Sequence, residues 1–363
     1  MAIKHVEEYR DPRIAQKILD DIVKSSTRPI RLMEVCGTHT VSIFRSGIRT
    51  ILPGNITLLS GPGCPVCVTA QREIDSFIEL AKSDDVILVT FGDLMRVPGT
   101  VSSLQKERSE GHDIRMVYSA MDALQIAEKN PNKKVVFLGV GFETTAPTIA
   151  LTLLTAQTKN IGYYFVYSAH KLVPPALTAL IENNEVNVDG FILPGHVSII
   201  IGARGYMDFF NRYSIPCVVA GFEPADILQA ILELVRQVET NRPVLENSYR
   251  RAVTFEGNLK AQKVMADVFE IRDTSWRGIG IIPMSGIKIR EEFAAFDAEK
   301  VFDFRIPESE DPKGCACGQI LCGVKIPPEC ALYQKACTPE NPVGPCMVSS
   351  EGTCAAYYRY HRV

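Results

Sequence analysis

Eight short apolar runs, each followed by a loop rich in glycine or proline and then by a helical pattern, constrain this fold most. Strands that alternate with helices pair in parallel sheets, because each crossover helix returns the chain to the same edge of the sheet. We predict strands at 30–35, 56–59, 86–90, 114–118, 135–140, 163–167, 191–193 and 217–220. The predicted fold class is therefore α/β.

The grouping of these strands is less constrained than their number. Eight strands could close into one barrel, but an Asn-Pro-Asn break at 130–132 favours two similar doubly wound, Rossmann-like domains with parallel sheets. We place an N-terminal helix within 1–28, the first α/β domain at 29–130 and the second at 131–240. A smaller cysteine-rich domain is expected at 241–363, with a helix at 258–269 and a short strand at 279–284.

A seven-residue loop, Gly-Pro-Gly-Cys-Pro-Val-Cys at 61–67, follows the second predicted strand and precedes an amphipathic helix predicted at 69–82. Its glycines allow a sharp turn and its prolines stiffen it. Cys64 and Cys67 thus lie near a helix N-terminus, where the partial positive charge favours a thiolate. The alternative is that both are inert, buried cysteines. A strand-to-helix turn of an α/β sheet favours a functional role.

Other reactive side chains also follow the ends of predicted strands. They are Cys36, His39, Glu143, His170, His196 and Glu223. If the two domains face each other, one cleft collects these residues with Cys64 and Cys67. Cys36 and His39 could activate a thiolate or bind a soft metal, whereas the other histidines and the glutamates could simply cap helices. Cys217 lies inside an apolar strand and is predicted to be core.

The second strong feature is a C-terminal segment that holds seven of the eleven cysteines. They are Cys315, Cys317, Cys322, Cys330, Cys337, Cys346 and Cys354. A segment with so little apolar material needs a covalent or metal staple. Widely spaced cysteines without Cys-x2-Cys knuckles favour a four-thiolate iron–sulfur cluster over zinc, and three thiols then remain for a redox-active pair.

Composition excludes several classes of function. A net charge of −3 without a Lys/Arg block gives no reason to expect nucleic acid or a membrane surface as a partner. No Gly-Lys dipeptide is present, so there is no Walker A loop, and Thr144 stands where a dinucleotide loop needs its third glycine. The N-terminus has no apolar signal core and no apolar run approaches a membrane span, so we expect a cytoplasmic protein.

Five motifs together resemble the HypD family of hydrogenase maturation factors, over residues 30 to the C-terminus. They are Cys-Gly-Thr-His-Thr at 36–40, Gly-Pro-Gly-Cys-Pro-Val-Cys at 61–67, Gly-Phe-Glu-Thr-Thr at 141–145, Pro-Gly-His-Val at 194–197 and the cysteine-rich tail at 337–358. The resemblance implies two similar α/β domains and a third with a [4Fe–4S] cluster whose surroundings are similar to those of ferredoxin:thioredoxin reductase. It also implies a stable complex with the small chaperone HypC, on which the transient Fe(CN)2CO iron unit of [NiFe] hydrogenase is assembled. Cyanide would come from HypE, a transient partner.

The same resemblance implies roles for particular residues. Cys36 would be the iron ligand with His39 beside it, and Cys64 and Cys67 the redox pair near that iron. Glu143 and His196 are expected to be cofactor-binding residues. Cluster ligands would be Cys315, Cys330, Cys337 and Cys354, and the neighbouring disulfide-forming pair would be Cys317 and Cys346. Cys322 has no implied role.

Such a protein would be an assembly scaffold with redox activity rather than a conventional turnover enzyme. Two other classes remain open from the residues alone. One is a cluster-dependent thiol–disulfide oxidoreductase, and the other is a zinc-stabilised binding protein.

Overall fold

The computed structural model describes residues 7–183, 185–303, 306, 309 and 311–361. Of the predicted N-terminal helical region, residues 1–6 lie outside this description. Helix α1 (Pro12–Ser25) begins where the sequence predicts a cap, because the Asp11 side chain accepts a hydrogen bond from the Arg13 backbone N–H. Its buried Ile22 faces the core.

The strands confirm the predicted pattern, because each of the eight apolar runs forms a strand whose ends differ by two residues at most. The strands are β1 (Ile30–Glu34), β2 (Ile56–Ser60), β3 (Val86–Thr90), β4 (Ile114–Met116), β5 (Lys134–Gly139), β6 (Tyr164–Ser168), β7 (Gly190–Pro194), β8 (Cys217–Ala220), β9 (Leu245–Asn247), β10 (Phe269–Trp276) and β11 (Gly280–Ile289). Strands β9 and β10 were not predicted from the sequence.

Helices follow most strands, as the alternation predicts. They are α2 (Gly37–Arg45), α3 (Ile48–Ile51), α4 (Pro65–Val68), α5 (Gln71–Ala81), α6 (Leu104–Ser109), α7 (Ala120–Lys129), α8 (Ala146–Thr158), α9 (Val173–Glu182), α10 (Gly195–Ile201), α11 (Met207–Tyr213), α12 (Pro224–Thr240), α13 (Leu259–Val268), α14 (Ala298–Val301), α15 (Cys317–Leu321), α16 (Pro345–Val348) and α17 (Thr353–Tyr360). Short 3-10 helices occupy Glu7–Arg10, Gly92–Arg96, Ala203–Tyr206, Glu291–Phe296 and Pro327–Glu329.

Two parallel sheets confirm the α/β class, with strand orders β2-β1-β7-β8-β9 and β4-β3-β5-β6. The predicted assignment of strands to sheets by sequence order is wrong. Strand β3 pairs with β5 across the Asn-Pro-Asn break, so β3 and β4 share a sheet with β5 and β6, while β7 and β8 join β1 and β2. The break at 130–132 is only the turn between α7 and β5. Parallel pairing depends on crossovers, and these need not join consecutive strands.

Both sheets carry helices on two faces, which explains why their strands are apolar along their whole length. Every residue of β3, β6, β7 and β8 is buried. Each large aliphatic or aromatic side chain removed from water contributes roughly 1.5–3 kcal/mol to folding. The carboxyl ends of the strands in both sheets are thereby held on rigid supports.

The C-terminal third begins with an antiparallel hairpin of β10 and β11. Trp276 of the hairpin forms an isolated β-bridge with Thr69, which follows α4. Gly286 forms another with Lys171, which follows β6. Beyond it the cysteine-rich segment contains only short helices, the last of which, α17, packs on α2. No helix within the described ranges is long and apolar enough to cross a bilayer.

Candidate functional site

A cleft of about 600 Å³ lies between the carboxyl ends of the two sheets. The loops after β1, β2 and β7 form one wall, the loops after β3 and β5 form the other, and the tail closes one end. Its lining includes Cys36, Gly63, Asp93, Phe142, His196 and Glu351. The position agrees with the expectation that ligands of α/β proteins bind outside the carboxyl ends of the strands.

The loops after β1 and β2 rest directly on one another. The Gly37 N–H donates to the Gly63 carbonyl at 2.8 Å, and the Gly61 N–H donates to the Glu34 carbonyl at 2.7 Å. A Cβ atom on Gly63 would overlap the backbone of Cys36. Glycine at position 63 therefore allows the Cys36 loop and the thiol loop at 61–67 to meet.

Cys36 is the N-cap residue of α2 and is largely buried at the edge of the cleft. Burial, followed by the negative charge of Glu351, raises the pKa of the Cys36 thiol to about 12. The side chain is therefore a neutral thiol in the protein alone. A bound metal cation reverses this preference, because a coordinated thiol loses its proton.

Cys64 and Cys67 form a disulfide with a Cα–Cα distance of 5.2 Å. Both are buried, and Cys64 is the N-cap residue of the separate four-residue helix α4, which ends the thiol loop and precedes α5. The predicted continuous helix at 69–82 is thus confirmed only from Gln71, and the two sulfurs belong to α4 instead. The disulfide therefore lies at α4 and outside α5.

Two histidines enclose an aromatic ring beside Cys36. The ring centroid of Phe222 lies 4.8 Å from that of His39 and 4.0 Å from that of His196. His39 Nε2 donates to the Gly221 carbonyl at 2.8 Å, and burial lowers the pKa of His39 to about 4, so the ring is neutral. His39 therefore packs on Phe222, which in turn stacks on the cleft-lining ring of His196.

Only two of the eight predicted cleft residues, Cys36 and His196, line the cleft, and three of the others point elsewhere. His170 is buried beneath the hairpin, where its Nδ1 contacts Ser168 Oγ at 3.0 Å. Glu143 turns away from the cleft into an apolar groove, and Glu223 pairs with Arg10 in an adjoining polar pocket. The expectation that all eight residues share one cleft is wrong, because strand ends specify where a loop begins and not where each side chain points.

Glu143 is nevertheless an unusual carboxylate. Its Oε1 accepts a hydrogen bond from the Val173 N–H at 2.9 Å, and its Oε2 has no partner among the described residues. Burial raises the pKa of Glu143 to about 7. Glu143 does not line the cleft, and its cofactor-binding role stays a prediction.

Sequence reasoning missed the strap 349–351, which joins the cysteine-rich tail to the cleft. Ser349 Oγ donates to Asp93 Oδ2 at 2.9 Å, and Thr38 Oγ1 donates to Glu351 Oε1 at 2.6 Å. Asp93 follows β3 and Thr38 follows β1, so the strap spans loops from both sheets. The only signal in the sequence was that these loops come after strand ends.

The tail cysteines surround a second, small cavity that is enclosed and apolar. Its lining includes Cys315, Cys317, Cys330, Cys337, Cys346 and Cys354. The four cluster ligands implied by the resemblance are thus brought together, with the other two beside them. Four thiols around a buried apolar cavity provide the donor set that a [4Fe–4S] cluster requires.

Two further observations concern the arrangement of the tail cysteines. Cys317 Sγ and Cys346 Sγ lie 3.6 Å apart, close enough for disulfide chemistry. Within the described ranges no three Cys, His, Asp or Glu side chains converge as the ligands of a single metal ion would. The tail cysteines share the lining of one cavity.

The remaining two cysteines are apart from both cavities. Cys217 is fully buried in β8, which confirms it as core, and burial raises the pKa of its thiol. Cys322 is buried just after α15, and burial raises the pKa of its thiol to about 11. Neither lines the cleft or the cavity of the tail cysteines.

The two thiol pairs themselves are linked by packing. Helix α16, which carries Cys346, packs on α4, which carries Cys67. The hairpin turn completes the link, because the Arg277 N–H donates to the Val68 carbonyl at 2.9 Å and Gly278 lies against Gly318. A Cβ atom at position 278 would overlap the Gly318 Cα. The two thiol pairs are therefore carried by neighbouring elements.

Comparison with known proteins gives a consistent result. The model of a family described as "HypD: Hydrogenase formation hypA family" matches residues 13–361. A hydrogenase maturation factor HypD of Cupriavidus necator is 48% identical, with 99% of this chain and 98% of that protein covered. A factor of the same name from Azotobacter vinelandii is 46% identical over 99% of this chain and 97% of its own length. A putative hydrogenase expression/formation protein of Methanocaldococcus jannaschii is 45% identical over 97% and 99%.

Proposed function

Because this chain belongs to the HypD family of hydrogenase formation proteins, we propose that it is a cytoplasmic scaffold for assembling the Fe(CN)2CO unit of [NiFe] hydrogenase. In this proposal HypC is its stable partner and HypE delivers cyanide transiently. The observation that carries the proposal is one continuous arrangement of sulfur: Cys36 at the cleft, a disulfide directly behind it, and six cysteines around a second cavity.

The cargo iron would bind to Cys36, with a HypC cysteine as its other thiolate. Thiolate is a soft ligand and suits the low-spin ferrous iron that cyanide and carbon monoxide require. Phe142 and His196, with Phe222 stacked on His196, make this end of the cleft largely apolar, which limits water around the diatomic ligands. His39 acts through Phe222 and holds this wall in place.

Release of cyanide from a carrier thiocyanate needs two electrons. The Cys64/Cys67 dithiol supplies them: the carrier S–C bond breaks, two protons pass to the carrier sulfur and to cyanide, and the Cys64–Cys67 disulfide forms. The dithiol is then regenerated by Cys317 and Cys346. One of their thiolates attacks the disulfide, a mixed disulfide forms, and the second thiol resolves it, leaving a Cys317–Cys346 disulfide.

Cys315, Cys330, Cys337 and Cys354 would hold the [4Fe–4S] cluster. When bound, this group supplies single electrons at a potential that the surrounding charges and hydrogen bonds set. The residues around it keep the thiols dry, since the cavity has no polar lining apart from sulfur and one tyrosine. The protein acts on a partner-bound cargo, so it is an assembly factor rather than a conventional turnover enzyme.

Infrared spectroscopy of the protein co-purified with HypC without oxygen tests this function. The wild-type complex should show cyanide and carbonyl bands. Replacing Cys64 or Cys67 by Ala should leave the visible absorption of the cluster intact and abolish the bands. Cys322→Ala is the matched control, because Cys322 is also buried but lines neither cavity. Bands that persist in the Cys64→Ala and Cys67→Ala proteins would remove this pair from the mechanism.

A cluster-dependent thiol–disulfide oxidoreductase is the second candidate, favoured by the packing of the Cys317/Cys346 pair against α4. A reductase turns over on a thioredoxin-like disulfide substrate, whereas a scaffold does not. Metal analysis of protein purified without oxygen addresses the zinc alternative. Iron and sulfide support the cluster, and stoichiometric zinc alone contradicts it.

A further inference from the structure

Arg277 is a buried arginine at the turn between β10 and β11, and no role proposed so far uses its charge. Only 2% of its surface is exposed. A guanidinium is effectively always charged, so a full positive charge lies inside the protein. Burying an ion is costly unless other groups compensate it.

The contacts of Arg277 compensate this charge only in part. Nε donates to the Thr69 carbonyl at 2.9 Å, and Nη1 donates to Gln71 Oε1 at 2.7 Å and to Asp311 Oδ1 at 3.1 Å. Nη2 is buried without a hydrogen-bond partner among the described residues. Asp311 is the only described anionic partner, and its side chain is 51% exposed, so water screens its charge.

The location of Arg277 indicates which anionic group balances the rest of its buried positive charge. Arg277, Cys315 and Cys317 line the same pocket of about 230 Å³. The backbone contact between Gly278 and Gly318 holds the turn against the start of α15. A positive charge is thus fixed beside one ligand of the proposed cluster and one sulfur of the neighbouring pair.

We propose that Arg277 is a charge-tuning residue that raises the reduction potential of the cluster. The inference rests on the proposed function, because it requires the cluster held by Cys315, Cys330, Cys337 and Cys354. A cluster with four thiolate ligands is anionic and gains one further negative charge on reduction, so a nearby positive charge stabilises the reduced form more than the oxidised form. Arg277 acts through the cluster and does not touch the cargo.

Anaerobic redox titration of the full-length protein, with dithionite and mediator dyes, measures this effect through the visible and electron paramagnetic resonance signals of the cluster. We expect Arg277→Gln to lower the equilibrium constant for one-electron reduction at least tenfold, which is about 59 mV toward more negative potential. Arg277→Lys keeps the charge and should recover at least half of that shift.

Two further variants separate charge from structural damage. Asp311→Asn removes a negative charge at a half-exposed position and should shift the potential in the opposite, positive direction. The equilibrium constant for one-electron reduction should rise at least twofold. Arg272→Gln is the matched control on the same hairpin, since Arg272 pairs with Glu299 and the Ser168 carbonyl away from the tail cysteines. It should leave the potential unchanged.

An Arg277→Gln protein that holds the cluster at the wild-type potential would overturn the inference. If that variant loses the cluster, Asp311→Asn decides the question, and an unchanged or lowered potential overturns the inference. Wild-type protein without iron and sulfide would instead contradict the proposed function itself, so the two failures are distinguishable.

Discussion

At the scale of single residues, Gly63 has a large effect because it has no side chain. A Cβ atom there would overlap the backbone of Cys36, which cannot move aside as a flexible side chain could. We expect Gly63→Ala to cost about 1–3 kcal/mol of unfolding free energy, as overpacking does, and to increase the rate of Cys36 alkylation. Urea unfolding and mass spectrometry after iodoacetamide treatment measure the two effects.

Gly54→Ala provides the control for this prediction. Nothing lies within 4 Å of a Cβ atom at position 54. Its unfolding free energy should stay the same or rise by up to about 1 kcal/mol, because alanine restricts the unfolded chain. Equal destabilisation by both substitutions would contradict the close approach of the two loops.

Buried carboxyl groups give the stability a distinct pH dependence. Burial raises the pKa of Glu143 from an ordinary 4.5 to about 7. The native state thus keeps this proton to higher pH than the unfolded state does. The contribution of Glu143 is fully present below pH 4.5 and is lost as the pH rises to 7, at roughly 1.4 kcal/mol per pKa unit.

Glu143→Gln should remove this dependence. The variant should match the wild type at pH 4.5 and exceed its unfolding free energy at pH 8, by about 3 kcal/mol at most. Glu223→Gln is the control with the opposite sign, because hydrogen bonding to Arg10 lowers the pKa of Glu223. Urea titrations at the two pH values measure both, and a Glu143→Gln protein no more stable than wild type at pH 8 would contradict the assignment.

The sequence was sufficient to predict which loops carry the site but not the direction of each side chain. Cys36 and His196 line the cleft as expected from their positions after strands. Glu143 comes after a strand too, yet it faces the opposite groove. Position after a strand is a property of the backbone, whereas side-chain direction depends on packing with the distant residues of α9 and the hairpin.

At the scale of elements, the buried ion pair of Lys171 and Glu73 ties α5, the loop after β6 and the hairpin together. Lys171 Nζ lies 2.7 Å from Glu73 Oε1 and 3.0 Å from Thr274 Oγ1, and its side chain is 1% exposed. Removing one partner leaves an uncompensated buried charge. We expect Lys171→Met to cost about 3–5 kcal/mol of unfolding free energy, measured by urea unfolding.

The double variant Lys171→Met, Glu73→Gln should recover part of that loss, since it leaves no charge behind. Lys263→Met is the matched control, because Lys263 and Asp267 form an exposed pair on α13. Such surface pairs contribute about 0–1 kcal/mol. A Lys171→Met loss as small as that of the control would show that the buried pair does not hold these elements together.

Elements with strong local signals were predictable, whereas those defined by distant partners were not. Strand β3, Val-Ile-Leu-Val-Thr, is apolar throughout and was predicted to the residue. Strand β10, Phe-Glu-Ile-Arg-Asp-Thr-Ser-Trp, alternates with polar residues and was missed, because the hairpin has one solvated face. The short α4 was also missed, since four residues carry too little periodicity.

At the scale of the whole molecule, the chain leaves the first sheet after β2, completes the second sheet with β3 to β6, and then returns to add β7, β8 and β9. The sequence could not predict this order, because every α/β unit looks alike locally and the pairing partners are far apart. During synthesis, the loops after β1 and β2 therefore contact β7 only after all four strands of the second sheet have been synthesised.

This order leads to a prediction for incomplete chains. Chains arrested on the ribosome before β7 lack Pro194, His196 and Glu351, which line the cleft with Cys36. We expect Cys36 to react severalfold faster with iodoacetamide in such chains than in released, folded protein, as measured by mass spectrometry. Equal reactivity would contradict the idea that the late strands and the tail cover this thiol.

Cys36 is therefore synthesised early, but it is covered only when β7 and the tail have been added. During that interval the uncovered Cys36 is open to oxidation by molecular oxygen and to capture of stray copper or zinc ions. We therefore expect oxygen and free metal ions during biosynthesis to lower the yield of protein with a usable Cys36.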